Sequence, residues 1–312
     1  MSDRDPKSAL AAAIEQNRRN ERVTRAWLLA PALTIILAIS ILPLGITVVY
    51  SFLTPGTYGG VTWEFSTDSY VQFLFQRDIF DDTLVFNSAY VSIFLRSIGL
   101  ALGATVGALI LGFPTAYFIA TKPREQRNIW LFLITLPFWT NLLIRTYAML
   151  LIIRDEGIIN IMLMKAGIIS SPLTILYTDT AVFIGLIYSF LPFMVLPIYA
   201  SLEKLDFSLV EAGYDLYANR LKVLFNVIVP LARPGVVAGC ILVFIPALGA
   251  YITPELLGGG KKLMIGNMIA MQFGASRNWP FGSAAALILM ALVILVLLVN
   301  AFAARRGASQ HG

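Results

Sequence analysis

Apolar residues run along this chain in six long blocks rather than at the three-and-four spacing of half-buried helices. The blocks cover about 27–53, 90–120, 129–153, 180–201, 231–253 and 282–304. Each supplies the roughly 20 apolar residues that a helix needs to cross ~30 Å of hydrocarbon. The pattern predicts an all-α membrane protein with six transmembrane helices. A polar segment, 1–26, precedes a membrane domain over 27–304, and a short tail, 305–312, follows it. One stretch breaks the rhythm. Residues 202–230, between the fourth and fifth blocks, are charged and helix-forming.

Composition agrees with the hydropathy. Of 312 residues, 58% are hydrophobic and 13% charged, with a mean hydropathy of +0.77. A soluble domain carries about a quarter charged residues. Lys and Arg set the direction of insertion. With the N-terminus inside, the inner segments hold fourteen of them and the outer segments six. Both termini are therefore expected in the cytoplasm, and the net charge of +5 reflects orientation rather than nucleic-acid binding. Residues 1–26 read as a cytoplasmic leader lying against the membrane surface, because the apolar run after them is too long for a signal peptide. The first outer loop, 54–89, carries Glu64, Asp68, Asp78, Asp81 and Asp82 against Arg77, and its "DSYVQFLFQ" reads as a short interfacial helix.

Several chemistries have no residues to run on. The one cysteine, Cys240, lies in an apolar block, and the one histidine, His311, lies in the tail. No disulfide, Cys/His metal centre or haem ligation can be assembled from these. No GxxxxGK[ST] phosphate loop occurs, so no nucleotide is expected on this chain by that route. Gly99, Gly103 and Gly107, and again Gly235 and Gly239, repeat every fourth residue. That spacing lets helix backbones approach closely in lipid. Pro114, Pro137, Pro192, Pro197 and Pro246 free carbonyls that need other partners, which suits a transporter. No inverted repeat relates 27–153 to 180–304, which counts against a secondary transporter.

The interrupting segment has its own helical logic. Ser208 and Glu211 have capping-box spacing, and Asn219 is placed to cap a second short helix through Val227, ahead of Pro230. "EAGYDLYANRLKVLFNVIVP" resembles the "EAA" signature of ATP-binding-cassette importer permeases, E-A-A-x3-G-x9-I-x-L-P. Glu211, Ala212, Gly213 and Pro230 fall in register, with Val227 and Val229 at the Ile and Leu places. Gly213 stands for the third residue, and Tyr217 stands where that family has Gly.

The resemblance extends over about 25–305. "GFPTAYFIA" (112–120), "LPFWTNLLIRTYAM" (136–149), "RDEGIIN" (154–160), "CILVFIPALGAYITPELLGG" (240–259) and "NWPFGSA" (278–284) are similar to the first permease subunit of spermidine/putrescine importers. The resemblance implies a type I importer permease in a bacterial inner membrane, with no enzymatic activity of its own. It implies a second, different permease chain, two ATPase subunits that hold ATP and Mg²⁺, and an extracytoplasmic binding protein. It also implies that 202–230 forms the coupling helix, with Ser208, Glu211, Ala212, Gly213, Asp215, Tyr217 and Pro230 as its site residues. Damage there is expected to uncouple the transporter rather than unfold it. A permease of the same kind for an opine, amino acid or phosphonate is the alternative reading.

A polyamine path needs carboxylates and aromatic faces. The candidates are Glu255, Asp155, Glu156, Trp139, Tyr147 and Tyr251. Each has a structural alternative. Asp155 and Glu156 can pair with Arg154, Glu255 can satisfy Arg145 or a loop amide, and the aromatics can be core or belt residues. Of the two arginines inside spans, Arg96 is near enough to an end to snorkel, and Arg145 is expected to pair with an acid.

Overall fold

A computed structural model describes residues 6–77, 84–206 and 208–308. His311 and the acids Asp78, Asp81 and Asp82 lie outside the described residues. The first helix, α1 (Pro6–Ser51), is 46 residues long and includes both the polar leader and the first span. The leader is therefore not a separate surface helix, since nothing between Pro6 and Trp27 breaks the backbone ladder. Beyond α1, the segment between the first two spans adds what an all-α reading leaves out. Strands β1 (Leu53–Pro55) and β2 (Val61–Phe65) pair antiparallel, helix α2 (Asp68–Leu74) matches the expected short helix, and β3 (Phe75–Arg77) pairs with β4 (Leu84–Phe86). The first hairpin turns through Gly59 and Gly60, whose φ of 98° and 81° only glycine adopts freely.

Small residues decide where the core forms. Helix α3 (Ser88–Ala120) buries Ala101, Ala104, Ala108 and Ala116 completely, and Gly103 and Gly107 receive Phe183 and Ile187. Gly99, the third member of that repeat, faces open space. The span predicted over 129–153 is not one helix. It divides into α4 (Arg124–Thr135), a 3-10 turn (Leu136–Trp139), α5 (Leu142–Ile153) and α6 (Ile158–Lys165), and the two halves bend by 94°. Pro137 lies in the turn, Thr140 is extended, and Asn141 restarts the helix by accepting the Leu143 amide at 2.8 Å. Among the described residues, five helices are individually long and apolar enough to span, and six do if the bent pair counts as one.

Helix α7 (Asp179–Leu202) runs between α3 and the last part of the fifth span, and α8 (Ser208–Asp215) follows it. That fifth span starts earlier than the hydropathy suggests. Helix α9 (Arg220–Val223), a π-helical stretch (Leu224–Ile228) and α10 (Val229–Leu248) form one unbroken helix of 29 residues. Pro230 explains the π stretch. Its ring cannot donate to the carbonyl one turn back and crowds it, so the preceding turn widens. Gly235 then brings α10 onto α7, where a Cβ at that position would lie 2.9 Å from Ile198 Cα and collide with the Pro197 carbonyl. Met194, Ile198 and Leu202 fill the contact with Ile119 of α3. Helices α11 (Ile252–Gly258) and α12 (Ile265–Phe273) lead to α13 (Trp279–Ala308), which packs along α1.

Candidate coupling surface and translocation path

The coupling segment is built differently at its start from the expected capping box. Ser208 is the first residue of α8, and its amide donates to Asp206 Oδ1 at 3.0 Å. Bonds from the Ser208 amide, and secondarily from its hydroxyl, hold the Asp206 carboxyl below the usual carboxylate range. A carboxylate two residues upstream is a stronger acceptor than a hydroxyl and closes a local turn, so it takes the capping role from the Ser208–Glu211 pair. The Asn219 expectation holds in type, with its Oδ1 accepting the Lys222 amide at 2.8 Å. The short helix it caps gives way to the π stretch.

At its other end, α8 closes in a Schellman motif. The Ala218 amide donates to the Gly213 carbonyl at 3.2 Å and the Tyr217 amide to the Tyr214 carbonyl at 2.9 Å. Tyr217 is the C′ residue, with φ at 58°. A glycine at this place would end the helix without strain, and here a tyrosine makes that turn. Its ring is 98% exposed, so nothing packs on it. A left-handed conformation costs a non-glycine residue about 1–2 kcal/mol, whereas glycine gives back roughly 0.5–1 kcal/mol in chain entropy. Tyr217→Gly is therefore expected to leave the hairpin as stable or slightly more so. Hydrogen exchange at the Ala218 amide checks this, and clearly faster exchange in the variant would count against the strained turn.

Gly213, one of the residues the resemblance assigns to the coupling helix, faces inward. A Cβ there would sit 3.2 Å from Val223 Cγ2, and Val223 is 1% exposed. Val210, Val223 and Ile228 belong to the same buried cluster as Ile119, Ile198 and Leu202. The hairpin is therefore sealed onto the ends of α3 and α7, and it cannot be damaged on this face without touching the core. Its outward side carries Glu211, Ala212 and Asp215 together with the exposed apolar residues Leu216, Tyr217, Leu221 and Phe225. The exposure of Leu221 and Phe225 is not legible in the sequence, because an apolar residue in a short helix reads by default as core.

The path candidates fall into three groups. Helix α11 begins after a non-helical step at Gly249–Tyr251, and Glu255 is exposed on its first turn. Glu255 Oε2 accepts from Asn267 Nδ2 at 2.8 Å, and the same amide donates to the Tyr251 carbonyl at 2.9 Å. Asp155 and Glu156 lie at the α5–α6 turn, where with Arg154, Thr174, Leu176 and Tyr177 they line an open depression of about 390 Å³. Trp139, 80% exposed, and Tyr147 stand on the broken third span. Helix α5 packs against α11, which brings the first and third groups onto adjacent elements.

Both arginines find partners other than those expected. Arg96 pairs with Asp179 at the head of α7 and donates to the Leu263 carbonyl at 3.4 Å, so it ties elements together rather than snorkelling. Arg145, 7% exposed, has no acid among its described partners. Its Nη1 donates to the Pro137 carbonyl at 3.3 Å, its guanidinium lies 5.7 Å from the Phe138 ring and 5.9 Å from the Tyr188 ring, and its Nε is buried without a partner. The break in the third span supplies both the free carbonyl and the ring, which is why no carboxylate is needed.

Known proteins place this arrangement. The chain is 42% identical over 249 residues to the spermidine/putrescine transport system permease protein PotB of Escherichia coli, covering 80% of this chain and 86% of that one. It is 47% identical over 217 residues to the protein of the same name from Haemophilus influenzae, covering 69% and 76%. The E. coli inner membrane ABC transporter permease protein YdcU is 34% identical over 237 residues, covering 72% of this chain and 74% of that one. A crystal structure of a bacterial ABC transporter involved in import of the acidic polysaccharide alginate superposes with a TM-score of 0.63 at 18% identity, covering 93% of this chain and 99% of that one. The sequence model for binding-protein-dependent transport system inner membrane components matches residues 108–307, from the middle of α3 through most of α13. The chain belongs to that family, as a multi-pass inner-membrane permease subunit of an ABC importer.

Proposed function

We propose that this permease carries polyamines such as spermidine and putrescine, and that it forms half of the translocation path beside a second, different permease chain. Two ATPase subunits bind ATP and Mg²⁺ beneath the pair, and an extracytoplasmic binding protein delivers the substrate. Both termini then face the cytoplasm, following the Lys/Arg bias. The observation that carries the substrate class is the 42–47% identity to permeases named for spermidine and putrescine. Glu255 is an exposed carboxylate on α11, with Tyr251 at the helix's N-cap and α5, which carries Tyr147, packed against it. A polycation path requires a carboxylate and aromatic faces of this kind.

The coupling follows from the packing. ATPase closure displaces α8 and the exposed apolar residues around it, the kind of anchors a helix uses in a groove. Because Val210, Val223 and Ile228 are buried with Ile119 and Ile198, the displacement passes into α3, α7 and α10 as a rigid shift. At the other end, Glu255 holds one ammonium of the substrate while the aromatics face its methylene chain.

Replacing Glu255 by Gln keeps size and hydrogen bonding but removes the charge. Spermidine uptake by the complex is expected to fall about tenfold, since loss of one partly desolvated ion pair costs ~1–2 kcal/mol. Uptake by reconstituted complex is the measurement, with membrane abundance as control. Unchanged kinetics at normal abundance would return Glu255 to a structural role.

A further inference from the structure

We propose that Asn267 is a positioning residue for the carboxylate that meets the substrate, fixing the Glu255 side chain before substrate arrives. The proposal rests on the reading that Glu255 meets the substrate. Asn267 lies on α12 and is 1% exposed. Its Oδ1 accepts the Met264 amide at 3.4 Å, and its Nδ2 donates both to Glu255 Oε2 at 2.8 Å and to the Tyr251 carbonyl at 2.9 Å. The partners dictate the orientation of the amide. Reversing it would set its NH₂ against an N–H and its oxygen against two acceptors.

The two functions of this side chain separate cleanly. Oδ1 caps the start of α12, a local structural task that any short acceptor performs. The two N–H groups serve α11 instead. The Tyr251 carbonyl also receives the Glu255 amide at 3.1 Å, so Asn267 grips the first turn of α11 and the carboxylate it carries at the same time. Among the described bonds Glu255 Oε1 has none, which leaves one oxygen free for a cation while the other is held. A free glutamate side chain loses rotamer entropy when a ligand orders it, and a carboxylate already held loses less.

The support behind Asn267 is stiff. The Ile265 amide donates to Ser97 Oγ of α3 at 2.8 Å, and Ile265 and Met268 are buried against Phe73 and Phe281. A Cβ on Gly266 would lie 2.7 Å from the carbonyl oxygens of Gly249 and Ala250, so α12 sits directly on the break that precedes α11. The charged groups on neighbouring elements include Arg96, engaged by Asp179, Lys261 and Lys262 between α11 and α12, Arg145, bonded to Pro137, and Arg154 at the end of α5. None of them is bonded to Glu255 among the described contacts.

Asn267→Asp is the informative variant, because it keeps the acceptor for Met264 and loses both donors. Two carboxylates in contact cannot both ionise freely, and one of the pair titrates at a raised pH. At high pH the ionised pair repels, and Glu255 swings away. At lower pH a shared proton replaces the lost N–H and returns Glu255 to its place with one negative charge on the pair. Spermidine uptake is measured on the complete reconstituted complex, each value divided by wild type at the same pH. Asn267→Asp is expected to lose about tenfold at pH 8 and to recover to within about twofold at pH 6. Asn267→Ala is expected to add nothing in a Glu255→Gln background, as two members of one unit should behave. A wild-type rate for Asn267→Asp, a loss equally deep at both pH values, or an additive Asn267→Ala loss would overturn the positioning role. If Glu255→Gln alone leaves uptake unchanged, the reading of Glu255 fails and this role with it. If Glu255→Gln impairs uptake and Asn267→Asp does not, the positioning role alone fails.

Discussion

Gly213→Asp is expected to abolish ATP-driven uptake, by more than tenfold, while the permease still reaches the membrane. A Cβ at 213 meets Val223 Cγ2 at 3.2 Å, with Val227 just beyond. The carboxylate would be pressed against two valines at the seam between α8 and α9. Desolvating a charge there without a partner costs several kcal/mol, so α8 instead peels away from α9. The hairpin then no longer moves as one body with α3 and α7, and a push on α8 is lost. Gly213→Ala should be much milder, because a methyl at that distance needs a shift of only a few tenths of an ångström. Uptake and binding-protein-stimulated ATP hydrolysis, measured on the same vesicles, separate uncoupling from failed assembly. Full coupled uptake by Gly213→Asp would mean that α8 is only a surface hairpin.

Gly235→Val acts on stability instead, and its effect should be larger. Its Cβ would be driven against the backbone of α7, at Ile198 Cα and the Pro197 carbonyl. Backbone cannot rotate out of the way as a side chain does, so α7 and α10 must separate. That opens the cluster around Met194, Ile198 and Leu202, and overpacking of this kind costs about 3 kcal/mol or more. Folded protein in the membrane should fall severely, as measured by abundance and by the melting temperature of the solubilised complex. Gly45→Val on α1 is the matched control, since a Cβ there meets nothing within 4 Å. Equal abundance of the two variants would show that α7 and α10 are not held by this contact.

The spans were legible because hydropathy measures how much apolar surface a segment carries. It does not register direction. The chain is apolar on both sides of the 94° bend at residues 136–141, and only Pro137 and Asn141 mark it. The partner of Arg145 was misread for the same reason, since the carbonyl it uses exists only because the helix breaks there. Small residues were more informative, because their spacing has a geometric consequence. Gly103, Gly107, Gly235 and Gly239 all sit at helix contacts, and Gly99 alone does not. Within the candidate coupling segment, the family pattern named residues without giving their directions. Gly213 turns inward against Val223, and Tyr217 turns outward in a glycine's conformation. Asn267 carries no charge and no motif, and the role proposed for it depends on bonds to residues 12 and 16 positions away.

The central claim is that this chain moves substrate only as part of an ATP-driven importer. Spermidine uptake into vesicles tests it directly, comparing this permease alone with the full set of partner permease, ATPase and loaded binding protein. Uptake is expected only with the full set and ATP. Uptake by this chain alone, driven by an ion gradient, would contradict the account.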